Sequence, residues 1–475
     1  MTRADAVVVG AGPAGAATAI LLAERGLAVT LLDKAAFPRP KICGDYLSPE
    51  AARVLDRLGV LKAVDAAGAQ PLHGMRIVAP DGTVLDGSYP TGGRWRGYRD
   101  HALAVPREVF DRILVERARA LPMDVRERHR VTGLLREGDR VGGVQAEDED
   151  GARIDVEARL VVGADGRASV VARALGLLRP HRLQRLALVR YVSGIEGLDD
   201  RGEIHVDPPD YSILNPVAPG LVSLSLVVPL AHARPYGGRM EAFFEARIKQ
   251  LRHLPARVAG MRAEGPLRVM GPLAYRVREP RAAGVLLVGD AAGFYDPFTG
   301  EGLFTALRSA ELLAEVAHAA LARGDVGTAA LAPYAAAKRA AFADKARVTR
   351  ALQFIIAHRR LANAAARFLQ RRPALLATLM GILGDFIPVG SGLTFRHFLG
   401  RRAAGEREKC RNVGPDPGLA AVGRSSAAPA SGWSDWSRGM LASRSGRPTW
   451  SRIHLPSHHS TGVTEMPWMR TSKWR

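Results

Sequence analysis

An α/β fold is predicted for this chain of 475 residues: a doubly wound domain on a parallel sheet, interrupted by a β-rich unit and followed by helices, so that the whole is α+β. Three observations predict it. The chain opens as strand, glycine turn, helix, strand. Residues 185–280 carry the period of two that marks a sheet. A short apolar strand near residue 285 then returns to the opening pattern, ahead of a long Ala-rich helical stretch.

Taken in order, Ala6 to Val9 is an apolar strand, Gly10 to Gly15 turns the chain, and a helix runs from about Pro13 to Arg25, with Gly26 as its stop. Ala28 to Leu32 is the second strand and ends at Asp33. Residues 50–66 read as one helix, with Ala51, Val54, Leu55, Leu58 and Leu61 at helical spacing. A second helix runs from Arg107 to about Ala120 on Val109, Phe110, Ile113 and Leu114. From Val131 to Val162 the period becomes that of strands, with Asp148-Glu149-Asp150-Gly151 turning between two of them. Arg159 to Val162 ends in Gly163-Ala164-Asp165-Gly166. In the next unit Leu224, Leu226 and Val228 alternate with Ser223, Ser225 and Val227, which predicts a sheet with one wet face. One helix, Met240 to Leu251, interrupts it. Val285 to Val288 stops at Gly289-Asp290. Beyond Gly302 the pattern is helical to about Leu369, and Pro373 and Pro388 bound a further helix.

Composition excludes several classes. With 47% hydrophobic and 24% charged residues, wholesale disorder and a polytopic membrane protein are both ruled out. Two cysteines cannot build a disulfide framework or a structural zinc site, and the 13 histidines show no HxH or HExxH spacing, so no metal is expected. The net charge is +20, but residues from Arg401 onward hold 13 Lys/Arg against 5 Asp/Glu and so contribute +8 of it. No basic run is interleaved with regularly spaced aromatics, and nucleic acid is not an expected partner. Met1 to Asp5 runs straight into a strand, and no stretch of 18 uncharged apolar residues occurs, so a cytoplasmic setting is expected. The basic stretch Lys338 to Arg360 reads as the solvated face of a core helix, with peripheral contact on an anionic membrane as the alternative.

The chemistry is carried by three strand ends. Gly10-Ala11-Gly12-Pro13-Ala14-Gly15 is a GxGxxG turn between an apolar strand and a helix, and the next strand ends in an acid, Asp33. The first glycine makes the tight turn, the second lets a pyrophosphate approach the backbone, and the third allows close helix–strand packing. The helix start adds free N–H groups and partial positive charge for phosphates, while Asp33 can accept from both hydroxyls of an adenosine ribose. Asp165-Gly166 and Gly289-Asp290 follow two later strands. A nicotinamide-linked dehydrogenase needs neither. An extended FAD needs contacts along its ribityl chain, which Asp165 and Asp290 can make. A helix beginning near Gly300-Glu301-Gly302 would point its positive end at the flavin ring.

These elements, in this order and spacing, resemble the FAD-dependent hydroxylase superfamily typified by para-hydroxybenzoate hydroxylase. Phe37-Pro-Arg39-Pro-Lys41-Ile-Cys43-Gly44-Asp45 and Asp296-Pro297-Phe298-Thr299-Gly300-Glu301-Gly302 are similar to its geranylgeranyl reductase branch and to the relatives of that branch, the flavin halogenases and polyketide-modifying oxidoreductases. The likeness spans roughly residues 1–400. It implies a Rossmann-like FAD-binding domain (1–180 and 281–330), an inserted β-rich substrate domain (181–280), a C-terminal helical region (331–402) and a tail, 403–475, expected to be disordered. Arg107 would contact FAD, Pro297 would lie beside the flavin face, and Gly300 and Gly302 near its pyrimidine edge. Lys34, Arg39, Lys41, Cys43 and Gly44 join the cofactor-binding set, and Cys43, Pro297 and Tyr211 are expected to face the reaction. Asp45 is expected only to belong to a loop on the substrate side.

Two departures stand out. Tyr211-Ser-Ile-Leu-Asn215-Pro216 falls where prenyl reductases carry Tyr-x-Trp-x-Phe-Pro, and it lacks both Trp and Phe. The Trp-x-Trp-x-Ile-Pro signature of tryptophan-type halogenases is absent. The resemblance implies an FAD-dependent oxidoreductase that reduces carbon–carbon double bonds of a hydrophobic, isoprenoid-like small molecule with hydride from reduced flavin. An NAD(P)H- and O2-dependent monooxygenase acting on an aromatic or polyketide is the alternative, and an inactive basic binding protein on the same fold is a third. No second strand-linked GxGxxG occurs, so NAD(P)H is expected to visit as a transient donor, and no obligate protein partner is expected.

Overall fold

Val7, Val8 and Val9 are β-branched and buried on both faces, which suits the centre of a parallel sheet. Five strands run parallel there in the order Asp124–Arg126, Val29–Leu32, Ala4–Val9, Arg153–Gly163 and Val285–Leu287. The long strand Arg153–Gly163 does two jobs. Its first half pairs antiparallel with Arg140–Glu147, which in turn pairs with Arg130–Glu137; its second half lies between Ala4–Val9 and Val285–Leu287. The computed structural model describes residues 3–300 and 302–392, so the tail expectation for 403–475 and the side chain of Glu301 lie outside the described residues.

Helix Pro13–Ala23 is buried along its whole length, and its Ala and Gly residues let it sit tightly between the sheet and helices Arg107–Arg119 and Gly302–Ala322. Ile20, Leu22, Phe110, Leu114, Leu307 and Leu313 meet in that core, each stabilising the fold by about 1.5–3 kcal/mol. The expected single helix over 50–66 is two, Ala51–Arg57 and Leu61–Ala66. Gly59, with φ +72°, turns the chain between them. The helical stretch after Gly302 is likewise divided into Gly302–Ala322, Thr328–Ile356 and Arg359–Gln370, with Pro373–Leu383 beyond. Among the described residues no helix is long and apolar enough to cross a membrane.

The second sheet has the order Arg262–Ala263, Arg185–Ser193, Leu221–Pro229, Asp210–Ala218, Arg201–Asp207, Gly74–Val78, Val84–Ser88, with Arg268–Met270 also on Arg185–Ser193. Two sequence expectations change here. The hairpin Gly74–Ser88 lies within the 1–180 stretch assigned to the first domain, yet it pairs into this sheet, parallel to Arg201–Asp207. The face bearing Ser223, Ser225 and Val227 is not wet: all three are buried. Helix Met240–Gln250 covers the opposite face through Phe243, Phe244 and Ile248, and the supposed wet face looks onto the interior of the protein.

Candidate active site

The three strand-end motifs nest against one another. Gly10, at φ +99°, lies so close to the third strand that a Cβ there would fall 2.7 Å from the Ala164 carbonyl oxygen. A Cβ on Gly289 would come within 2.6 Å of Ala14 Cβ, and one on Gly15 within 1.8 Å of the Gly10 oxygen. Gly15 and Gly289 are therefore packing residues outside the cavity lining. Gly12 differs: nothing lies nearer than 3.6 Å to its would-be Cβ, because the space before it is open cavity.

That cavity has a volume of about 980 Å³ and reaches from the glycine turn to the second sheet. At its first end lie Gly10, Gly12, Pro13 and Ala14, with Asp33, Lys34, Arg39 and Lys41 around them. Asp33 also braces the turn: its Oδ2 accepts from Ala11 N at 2.8 Å and its Oδ1 from Ala35 N at 2.9 Å. Arg107 opens helix Arg107–Arg119 and forms a two-pronged pair with Asp111 at 2.8 and 3.0 Å, and Arg39 reaches the same carboxylate at 3.5 Å. Asp111, fully buried, thus holds two guanidinium groups at the cavity wall; no motif in the sequence marked it. Burial, then the charges of Arg107 and Arg39, push the Lys41 ammonium below its ordinary range.

Asp165, Gly166 and Asp290 line the middle of the cavity. Asp165 Oδ2 accepts from Val170 N at 2.6 Å, just ahead of the short helix that Ser169 caps, while its buried Oδ1 has no partner within the protein. Burial raises both Asp165 and Asp290, and for Asp290 the charges of Lys41 and Arg107 oppose the rise. A helix start with Arg39, Lys41 and Arg107 beside it for a diphosphate, an acid at a strand end, and two further carboxylates, one with an orphaned buried oxygen, fit FAD. Pro297, Gly300 and Gly302 line the cavity beyond them, and helix Gly302–Ala322 begins there, as expected. Gly300, at φ +67°, lies against the ring of Tyr46.

The far end is apolar. Met75, Ile77, Ala187, Val189, Ile204, Ile213, Val227 and Met270 of the second sheet line it together with Leu273, Phe294 and Phe298. Asn215 and Ser225 are the polar side chains of that sheet at the wall, and Asn215 Nδ2 donates to the Gly44 carbonyl at 2.7 Å, fixing the Cys43-Gly44 loop.

Three expectations about roles are revised. Tyr211 does not reach the cavity: it is 1% exposed, donates to Asp296 Oδ1 at 2.7 Å and stands edge-on to Phe298 with ring centres 5.1 Å apart. It supports the 296–300 loop from behind. Asp296 is the hub it serves, accepting also from Phe298 N at 2.9 Å and from Gln353. Cys43 does line the cavity, but burial raises its thiol, which argues against a reactive thiolate. Asp45 is more than a substrate-side loop residue. It is 1% exposed at φ +56°, and it accepts from Arg107 N at 3.2 Å and from the Tyr191 hydroxyl at 3.1 Å. Burial pushes its carboxyl up to about 7.

A parallel sheet with a glycine turn, a basic end beside that turn and an apolar chamber continuous with it defines an FAD-dependent oxidoreductase. The chain belongs to the FAD binding domain family, whose model matches residues 3–349. It is 30% identical over 348 residues to the digeranylgeranylglycerophospholipid reductase of Methanothrix thermoacetophila, covering 70% of this chain and 82% of that protein. It is 33% identical over 343 residues to digeranylgeranylglycerophospholipid reductase 1 of Methanopyrus kandleri, covering 70% and 84%. Among solved structures, a flavoprotein/dehydrogenase from Cytophaga hutchinsonii superposes with a TM-score of 0.72 at 24% identity, over 81% of this chain and 93% of that one. The flavin-dependent brominase Bmp2 gives 0.71 at 22%, over 81% and 94%. At those identities the two structures speak for the fold.

Proposed function

We propose that the protein reduces carbon–carbon double bonds in a long isoprenoid-like lipid chain. The observation that carries this reading is the apolar chamber continuous with the cofactor end, walled by the second sheet and by Leu273, Phe294 and Phe298. Such a wall offers almost nothing to a polar ligand. It repays a hydrocarbon by about 0.8 kcal/mol per buried CH2, so each isoprene unit drawn in contributes up to about 4 kcal/mol. The two archaeal reductases to which the chain is similar support the same reading.

FAD, when bound, supplies the hydride. The chain's own residues bind, orient and exclude water. Arg39, Lys41 and Arg107 would hold the diphosphate end and Asp165 and Asp290 the polyhydroxyl middle, while the Pro297–Gly300 loop, propped by Asp296, Gln353 and Tyr211, would position the reacting groups. Phe298 and Val227 keep water from the double bond. NAD(P)H serves as a transient donor, and the substrate is a hydrophobic small molecule that reaches the enzyme in a cytoplasmic setting or at a membrane surface.

The test uses the purified yellow enzyme, reduced under argon and mixed with geranylgeranyl-bearing lipids or with aromatic and polyketide candidates. Return of the oxidised-flavin absorbance with the prenyl lipids alone supports the proposal. Substrate-dependent reoxidation that requires air, and answers to the aromatics, overturns it in favour of a monooxygenase.

A further inference from the structure

We infer that His73, Asp100 and His101 form a divalent-cation site that takes zinc, outside the flavin cavity. The sequence gives little hint of it, since His73 stands well apart from the adjacent pair Asp100-His101. Strand registers bring them together. Leu72 pairs with Ala102 in the small sheet formed by Tyr46–Leu47, Ala102–Ala104 and Gln70–Leu72, which sets His73 beside His101. Gly74 pairs with Arg201 in the large sheet, which sets His73 beside Asp200. The backbone closes the arrangement, with His73 N donating to the Asp200 carbonyl at 2.7 Å. His73 is thus the hinge residue between the two sheets.

The side chains converge as the backbone does. One ligating atom from each of His73, Asp100 and His101 lies within 4.8 Å of the others, and the two imidazole rings are 5.3 Å apart, centre to centre. His101 Nδ1 is 2.6 Å from Asp100 Oδ1, and His73 Nδ1 is 2.9 Å from Asp200 Oδ2. A carboxylate hydrogen-bonded to an imidazole nitrogen, as Asp100 is to His101, is the arrangement that orients histidines in zinc sites. Two imidazoles with carboxylates nearby suit zinc better than the hard cations, which prefer all-oxygen shells. The partly exposed side chains can turn inward to the shorter donor separations of a bound ion. A cation there would tie together the entries to three strands, Gly74–Val78, Ala102–Ala104 and Arg201–Asp207, and so clamp the small sheet to the large one. None of the four residues lines the flavin cavity.

The experiment is calorimetric titration of zinc into the full flavin-loaded chain after chelator treatment and dialysis, for the wild type, His73→Ala, His101→Ala and His101→Gln, which can still donate to Asp100. Saturable binding in the wild type, at least about tenfold weaker in every variant, supports the site. So does a zinc-dependent rise in melting temperature confined to the wild type. Unchanged zinc affinity in the variants would place any zinc elsewhere, for example at His458 and His459 of the tail, and overturn the inference. Absence of saturable binding in the wild type would overturn it equally, leaving an ordinary His101–Asp100 pair with His73 beside it. Flavin content, expected to be the same in all four proteins, shows that each has folded and is independent of the proposed substrate.

Discussion

Replacing Asp45 with Asn should remove a pH dependence from the stability of the protein. The Asp45 carboxyl is buried and pushed from an ordinary 3.8 up to about 7. The folded protein therefore holds this proton more tightly than the unfolded chain does. The stability so gained is fully present below about pH 4 and is lost as pH rises through about 7. At about 1.36 kcal/mol per unit, the whole loss is about 4 kcal/mol. Asn keeps an acceptor for Arg107 N and a polar partner for the Tyr191 hydroxyl, and it tolerates the positive φ of 56° better than most residues. It cannot titrate. Urea unfolding of wild type and Asp45→Asn across pH 5 to 9 isolates the effect in their difference, because the other titrating groups cancel. The variant should gain on the wild type by a few kcal/mol over that range, most steeply up to pH 7. A difference flat with pH, or one that grows as pH falls, would refute the burial argument.

Other substitutions test other links. Asp290→Ala removes a charge-assisted contact worth about 1.5–3 kcal/mol, so flavin retained after dialysis should fall roughly ten- to hundredfold in affinity. Gly300→Ala places a Cβ 2.8 Å from Tyr46 Cδ1 at φ +67°, where the backbone alone costs about 1–2 kcal/mol; its turnover should drop more than its flavin content. Tyr211→Phe keeps the packing on Phe298 and deletes one hydrogen bond to Asp296, so melting should register about 1 kcal/mol and turnover should survive. Abolished turnover with intact flavin would restore Tyr211 to the reaction.

The cofactor end was legible in the sequence because its logic is local. Gly10, Gly12 and Gly15 sit on one turn and Asp33 ends the next strand, so spacing locates them, whereas Arg107 was named only through the family resemblance. Asp165 and Asp290 needed only the recognition of an apolar strand before each. The substrate end was not legible, because its logic is long-range. Gly74–Ser88 joins the second sheet through a parallel pairing with residues more than a hundred positions away, which leaves no mark on local periodicity. The alternation of Ser223, Ser225 and Val227 correctly signals a two-sided sheet, but period two cannot tell bulk water from an internal cavity. Tyr211 was assigned to the reaction by motif position; its hydroxyl is spent on Asp296. Asp45 gains its meaning only from burial against Arg107, which lies far from it in sequence; Asp111 stands one helical turn after Arg107, but its full burial and its second partner, Arg39, leave no mark on the sequence.

The fate of the substrate's atoms distinguishes double-bond reduction from oxygenation most directly. Reduced enzyme under argon, in deuterated water, is incubated with a geranylgeranyl lipid, and the product is examined by mass spectrometry beside a parallel run under labelled oxygen. The apolar chamber and its water-excluding wall predict saturation of double bonds without oxygen, a pair of hydrogens gained per bond and no oxygen atom added from O2 in either run. Product formed only in the presence of oxygen, carrying the label, would contradict it.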